Sequence, residues 1–277
     1  MSGLEVTGTA VVLGSASGMG RATALAYARY GAVGLVLGDI DEKGLQETAR
    51  QAKQQATNPN FSVYASYVDV RSFESVQKLF QEAVARYKRI DYSVTTAGIF
   101  ATGGLLADND LAFYDNIQNT DAKGVLHHTK AAIQVMLKQE SVVIQGHDRA
   151  RIIGRGAIVN VCSAAGLVAI PGTIEYNAAK FAAVGITKTA ANEYGASQIR
   201  INAVCPGGIE TPLFERLASA NPTFRDKLVD STPLKRIGDV DEVADSILFL
   251  TSTAGSYVHG ASFTVDGGSV NSAPGFT

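Results

Sequence analysis

The 277-residue sequence has no tryptophan, two cysteines, three methionines, four histidines and seven prolines. Two cysteines are too few for a disulfide framework. Cys162 and Cys205 each lie inside an apolar run, residues 158–162 and 201–205, which reads as a pair of buried core thiols. No His/Cys grouping has the spacing of a metal site. No run reaches the roughly 18 apolar residues that a membrane-spanning helix needs. Residues 1–8 lack both a basic region and an apolar stretch long enough for a signal peptide. A soluble, cytoplasmic protein is therefore expected. Neither sign of charge dominates: 24 Lys and Arg against 26 Asp and Glu leave a formal net charge of −2, with a pI near 6.1. A clustered basic footprint for nucleic acid is lacking. Internal repeats, low-complexity segments and linkers are absent as well.

What the sequence does contain is apolar material, 46% of residues against 18% charged, enough for a large core and too little charge for disorder. Apolar runs alternate with helical patterns from end to end. Residues 9–14, 34–39, 61–68, 92–96, 157–162, 199–204 and 261–265 read as strands. Residues 20–30, 41–56, 72–87, a stretch within 110–137, a stretch within 175–194, and 239–250 read as helices. The strands are near-continuous apolar runs, as expected when both faces of a parallel sheet are covered. Seven strands with helical crossovers predict one α/β domain over residues 1–277, a doubly wound parallel sheet with helices on both faces.

The first strand ends in Gly14-Ser15-Ala16-Ser17-Gly18-Met19-Gly20 and runs into a helix. Glycines there let the backbone turn tightly and approach a pyrophosphate, while the helix N-terminus offers free N–H groups. The spacing is Gly-x-x-x-Gly-x-Gly rather than Gly-x-Gly-x-x-Gly. Nineteen residues after Gly20 stands Asp39, at the end of the second strand and followed by Ile40. A carboxylate there can accept bonds from both adenosine ribose hydroxyls and repels a 2′-phosphate, and the loop itself carries no Arg or Lys. NAD(H) is expected over NADP(H).

Tyr176 and Lys180 are four residues apart, on one face of a predicted helix. A neighbouring ammonium favours the phenolate, which is expected to bring Tyr176 toward neutral pH and make it a useful proton donor and acceptor. Ser163, thirteen residues upstream, ends the fifth strand, on the rim where ligands bind in open α/β sheets. Its hydroxyl can hold a substrate oxygen in line with Tyr176.

In combination and order these features resemble the short-chain dehydrogenase/reductase family over nearly the whole chain. The resemblance takes in the Gly14 loop, Asp69-Val70, Ala97-Gly98, Ser163, Tyr176, Lys180, Asn202-Ala203-Val204-Cys205-Pro206-Gly207 and Val265-Asp266-Gly267-Gly268. It implies a Rossmann-like single domain and a homo-oligomer, a tetramer or dimer. Tyr176 becomes the general acid/base, Lys180 the ligand of the nicotinamide ribose that lowers the tyrosine pKa, and Ser163 the group steadying the carbonyl. Asp69 and Val70 are expected near adenine. Backbone around Pro206, Gly207, Ile209 and Thr211 is expected to cradle the carboxamide.

Two departures stand out. The family's Asn-Asn-Ala-Gly is Thr95-Thr96-Ala97-Gly98 here, and a threonine keeps one hydroxyl bond but not an amide's donor–acceptor pair. Three residues before Gly124, where the family carries the asparagine of a proton relay, stands Asp121; Asn119 is out of register. Asp121 is expected in the relay position.

Residues 208–235 carry Leu213, Phe214, Leu217, Phe224 and Leu228, and read either as an apolar lid over a hydrophobic substrate or as a segment docked on the body or on another subunit. The cluster His147, Arg149, Arg151 and Arg155 reads as a solvated loop, and His127 and His128 as packed or exposed residues of a helix. The expected activity is hydride transfer between nicotinamide and an apolar ketone or secondary alcohol of terpenoid, steroid-like or polyketide type. Competing readings are a redox-neutral isomerase or cyclase and a cofactor-binding sensor, both disfavoured by the intact Ser163, Tyr176 and Lys180. An enoyl reductase typically has its tyrosine seven residues before the lysine, where this chain has Thr173.

Overall fold

Thr9–Leu13 (β1) is buried along its whole length, which a strand achieves only when both faces of its sheet are covered. Ala10 and Val12 enter one apolar core, Val11 and Leu13 the other. In the computed structural model, which describes residue 4, residues 6–100 and residues 104–271, the chain continues through Gly18–Arg29 (α1), Gly34–Asp39 (β2), Glu42–Gln55 (α2), Ser62–Tyr67 (β3), Phe73–Tyr87 (α3) and Tyr92–Thr95 (β4). Residues 1–3 and 5, part of the N-terminal stretch considered above, lie outside the described residues. Tyr114–Ile117 (α4), Gly124–Met136 (α5), Val142–Gln145 (β5), Ala150–Gly154 (β6), Gly156–Val161 (β7), Ile174–Tyr194 (α6) and Ile199–Pro206 (β8) follow. Pro212–Ala220 (α7), Phe224–Ser231 (α8), Val240–Thr251 (α9) and Ser262–Val265 (β9) complete the order.

Seven strands form one sheet in the order β3-β2-β1-β4-β7-β8-β9, every pair parallel. This is the doubly wound Rossmann-like sheet read from the sequence. One core holds α1, α2 and α9 against the sheet, through side chains such as Ala22, Ala26, Leu45 and Ile247. The other holds α3, α5 and the C-terminal end of α6, through Leu79, Phe80, Met136 and Ala191. Between β1 and β4 the winding direction reverses, so the connections after them leave on opposite faces of the sheet and open a crevice at its carboxyl edge.

Two local features differ from expectation. The helical stretch within residues 110–137 is not uniform: a π-helical turn, Gln118–Lys123, separates α4 from α5. Residues 144–156 do not form a simple loop. β5 and β6 pair antiparallel, with Gln145 opposite Ala150. His147 and Asp148 sit exposed at the turn. Arg155, just after β6, turns back and donates to the carbonyls of Leu137 (3.0 Å) and Gln139 (2.6 Å), beyond the C-terminus of α5. Among the described residues no helix is long and apolar enough to cross a membrane.

Candidate active site

Gly14 and Gly18 have φ angles of +79° and +51°, in the left-handed region that favours glycine. A Cβ on Gly20 would lie 2.0 Å from the Gly14 carbonyl oxygen, and one on Gly14 2.5 Å from the Ala97 nitrogen. The loop is therefore pressed against the start of α1 and the residues after β4, with no room for a side chain at Gly14 or Gly20. Ser17 caps α1 by position, yet its hydroxyl makes no capping bond, and the first N–H groups of the helix point out of the loop. Thr96 Oγ1 lies 3.0 Å from the Leu13 carbonyl and 3.1 Å from that of Gly14, so the threonine keeps the loop anchored by its single hydroxyl proton.

The loop opens on a cleft of about 500 Å³. Of the residues expected around a dinucleotide, Gly14, Ser17, Gly18, Met19, Gly20, Asp39, Ile40, Asp69, Val70, Ala97, Gly98 and Thr211 line it. Pro206, Gly207 and Ile209 do not; they form the end of β8 and the turn behind Thr211, where the Gly207 N–H donates to the Val265 carbonyl at 3.0 Å. Tyr176 and Lys180 do not line it either, and meet it only through Phe100 and Gly98. Asp39 turns one oxygen to the Ala16 N–H (2.9 Å) and the other to the Asp41 N–H (3.1 Å), so the carboxylate also braces the loop. Arg71, Phe100, Asn116 and Arg216 also line the cleft, and no sequence pattern pointed to them. Arg71 grips Asp69, its Nη2 2.7 Å from Oδ2. A glycine cradle, open helix N–H groups and a carboxylate at the end of β2 fit a dinucleotide.

Beyond the cleft lies a buried polar group. Lys180, on α6, places Nζ 3.0 Å from Asp121 Oδ2, with both side chains almost wholly excluded from water. Asp121 belongs to the π-helical turn, and its other oxygen accepts the Ile99 N–H at 2.9 Å. A Cβ on Gly98 would lie 2.9 Å from Asp121 Oδ2 and 3.3 Å from Lys180 Nζ, so glycine leaves the pair its space. Tyr176 stands one turn before Lys180, the ammonium 5.4 Å from its ring centroid. Phe100 meets the tyrosine edge-on, centroids 4.8 Å apart. Ser163 follows β7, its Oγ accepting the Ala165 N–H at 3.1 Å, and stands close enough to Tyr176 to pull the phenol pKa down.

The charges in this group oppose one another. Burial pushes the Asp121 carboxyl up, with Lys180 pulling it back. Burial disfavours the Lys180 ammonium, but the charges of Asp121 and Tyr176 outweigh it and raise its pKa, so the lysine is charged at neutral pH. The Tyr176 phenol differs from expectation: loss of water raises its pKa above the ordinary value, Lys180 and Ser163 pull it down, and Asp121 offsets part of that pull. In this arrangement the tyrosine is held as the phenol.

The remaining candidates are structural. His128 is fully buried between Ser93 Oγ (2.7 Å) and Asn160 Oδ1 (3.0 Å), and burial pushes its pKa down to about 4. His127 Nδ1 bonds the Val70 carbonyl at 2.9 Å. Cys162 and Cys205 are free, buried thiols, and no metal-holding group occurs among the described residues. In residues 208–235, Phe214 packs on Phe224 with centroids 5.7 Å apart, which docks α8 against α7. Leu213 faces the cleft instead.

A protein-family profile described as "Enoyl-(Acyl carrier protein) reductase" matches residues 14–270. The chain is 38% identical to the short-chain dehydrogenase srdC of Neurospora crassa over 98% of its own length and 99% of that protein's. It is 35% identical to the 3-oxoacyl-[acyl-carrier-protein] reductase FabG of Thermotoga maritima, over 94% and 96% of the two chains. Among solved structures, levodione reductase superposes with a TM-score of 0.86 at 29% identity, covering 97% of this chain and all of that one.

Proposed function

The chain belongs to the short-chain dehydrogenase/reductase family, whose members bind a nicotinamide cofactor, and from that membership we propose that it is an NAD(H)-dependent oxidoreductase interconverting an apolar ketone and its secondary alcohol. The observation that carries the reading is the buried Asp121–Lys180 pair set beside Tyr176 and Ser163, which meets the cleft through Gly98 and Phe100.

When bound, the nicotinamide supplies or accepts the hydride at the carbinol carbon. Everything else falls to the chain. In reduction, Ser163 donates a hydrogen bond to the carbonyl oxygen and Tyr176 gives that oxygen its proton; in oxidation the tyrosine takes the proton back. A phenol in an apolar pocket is a reluctant donor because its anion is poorly solvated. The Lys180 ammonium lowers that cost, and Asp121 keeps the lysine charged and in place. Asp121 thus stands at the relay position paired with Lys180, where the family has a neutral amide. Asp39 favours the free ribose hydroxyls of NAD(H). Phe100, against the tyrosine ring, and Leu213 supply apolar walls, and residues 208–235 serve as the lid, with α7 the part that reaches the cleft. We propose assembly as a homo-oligomer, a tetramer or dimer.

The test is a panel of ketones and secondary alcohols followed by nicotinamide absorbance, with Tyr176→Phe as control. Turnover of apolar carbonyl compounds is expected. The variant should lose at least about a hundredfold in kcat/KM while still binding NADH. Binding of NADH with no turnover on any carbonyl or alcohol sinks the oxidoreductase reading in favour of a redox-neutral or sensing role. Turnover confined to enoyl thioesters moves the reaction from the carbonyl to the carbon–carbon double bond.

A further inference from the structure

The diphosphate of a dinucleotide carries two negative charges, and the Gly14–Gly20 loop meets it with backbone N–H groups alone, having no Lys or Arg of its own. The charged side chains lining the cleft are Asp39, Asp69, Arg71 and Arg216. Arg71 is taken: its guanidinium holds both oxygens of Asp69. Arg216 has no hydrogen bond or ion pair among the described residues. This is not because its surroundings lack acids. Glu215 is the preceding residue, and with Glu210 it pairs with Arg225 instead. The acids on and beside α7 thus neutralise Arg225 and leave the cleft-facing cation free.

Position follows from the helix. Thr211 caps α7, its hydroxyl accepting the Phe214 N–H at 3.1 Å. A Cβ built on Gly18 would lie 3.4 Å from Thr211 Cγ2 and 3.7 Å from Pro212 Cδ, so the start of α7 directly faces the start of α1. Pro212 and Arg216, at i and i+4, share one face, and both line the cleft. A guanidinium one turn up a helix that begins over the glycine loop overhangs the place where a diphosphate would sit.

We propose that Arg216 is a cation clamp for the cofactor's diphosphate, reaching down from α7 to close the cleft over it. Its planar donor fork suits two phosphate oxygens. The long, unpaired side chain is exposed while the cleft is open and surrenders no existing bond on closing. The lid segment thereby senses the cofactor before any substrate arrives. This inference rests on the dinucleotide-binding reading above.

The test is calorimetric binding of NADH and of ADP-ribose, which has the diphosphate but no nicotinamide, to the wild type, Arg216→Ala and Arg216→Lys, at low and moderate salt. Unfolding midpoints establish that each variant is folded. The expected result is an increase in Kd of about tenfold for both ligands in Arg216→Ala. The lysine variant should recover part of the loss, and the alanine variant should depend less steeply on salt than wild type. Equal ADP-ribose affinity and equal salt dependence in wild type and Arg216→Ala overturn the clamp alone. So does a variant that binds both ligands normally but loses affinity for the carbonyl substrate, which assigns the arginine to an anionic substrate group. A wild-type protein that binds neither NADH nor ADP-ribose overturns the dinucleotide reading and the clamp with it.

Discussion

Lys180 is buried and yet charged because Asp121 stands 3.0 Å away. That pairing gives the residue-scale prediction its sign. Asp121 raises the Tyr176 pKa by opposing the pull of Lys180. In Asp121→Asn that opposition is gone, and the phenolate forms at lower pH. The acid limb of the pH–rate profile for alcohol oxidation, which needs the deprotonated tyrosine, should therefore move toward acid by about one unit. The variant should also lose stability, because a buried ammonium without its partner costs about 3 kcal/mol or more. Superimposable profiles exclude the relay role; a shift toward alkaline pH means that Lys180 has lost its proton, so that Asp121 acts by keeping the lysine charged rather than through its own field at the tyrosine. Counting three residues back from Gly124 was enough to locate Asp121 in the sequence. It could not reveal that a carboxylate there forms an ion pair, or that desolvation outweighs the ammonium at Tyr176. Both depend on how completely the folded chain excludes water, and no spacing encodes that. Phe100, Arg71 and Arg216 were invisible for a related reason: they reach the cleft from separate elements joined only by the fold.

At the scale of elements, the strands were legible because helices cover both faces of the sheet, so β1 and β7 read as near-continuous apolar runs. The β5–β6 pair was not, since its residues are mostly exposed and Gly146, His147, Asp148 and Arg149 at its turn look like solvated loop. The π-helical turn was missed because one extra residue in a helical repeat leaves the apolar pattern nearly intact. The end of β2 joins element to function. Asp39 braces the glycine loop through the Ala16 N–H, and the same carboxylate faces the cleft. Asp39→Ala should therefore act twice. The ratio of NADPH to NADH affinity should rise about tenfold as the repulsion of a 2′-phosphate disappears, and NADH affinity should fall as the loop loses its brace. Fluorescence titration with both cofactors checks this, and an unchanged ratio removes Asp39 from cofactor choice.

At the scale of the molecule, α6 ties the chemistry to the surface. Its inner face carries Tyr176 and Lys180. Phe181, the residue after the lysine, is 46% exposed, and Leu126 on the neighbouring α5 is 48% exposed. Large apolar side chains on two adjacent helices are costly to leave in water and suit burial against another copy of the same chain. Light scattering of the wild type should give a dimer or tetramer. The double variant Leu126→Glu, Phe181→Glu, which would place carboxylates inside that contact, should give a smaller species. Because α6 is anchored on its inner side by the Asp121–Lys180 pair and would be held on its outer side by the partner, dissociation should also lower kcat several-fold while the Kd for ADP-ribose stays within about twofold. A monomeric wild type rules out the assembly, and a double variant of unchanged mass moves the contact to another face. If the cofactor affinity falls together with kcat, the helix is not acting locally, and subunit contact instead supports the whole carboxyl edge of the sheet.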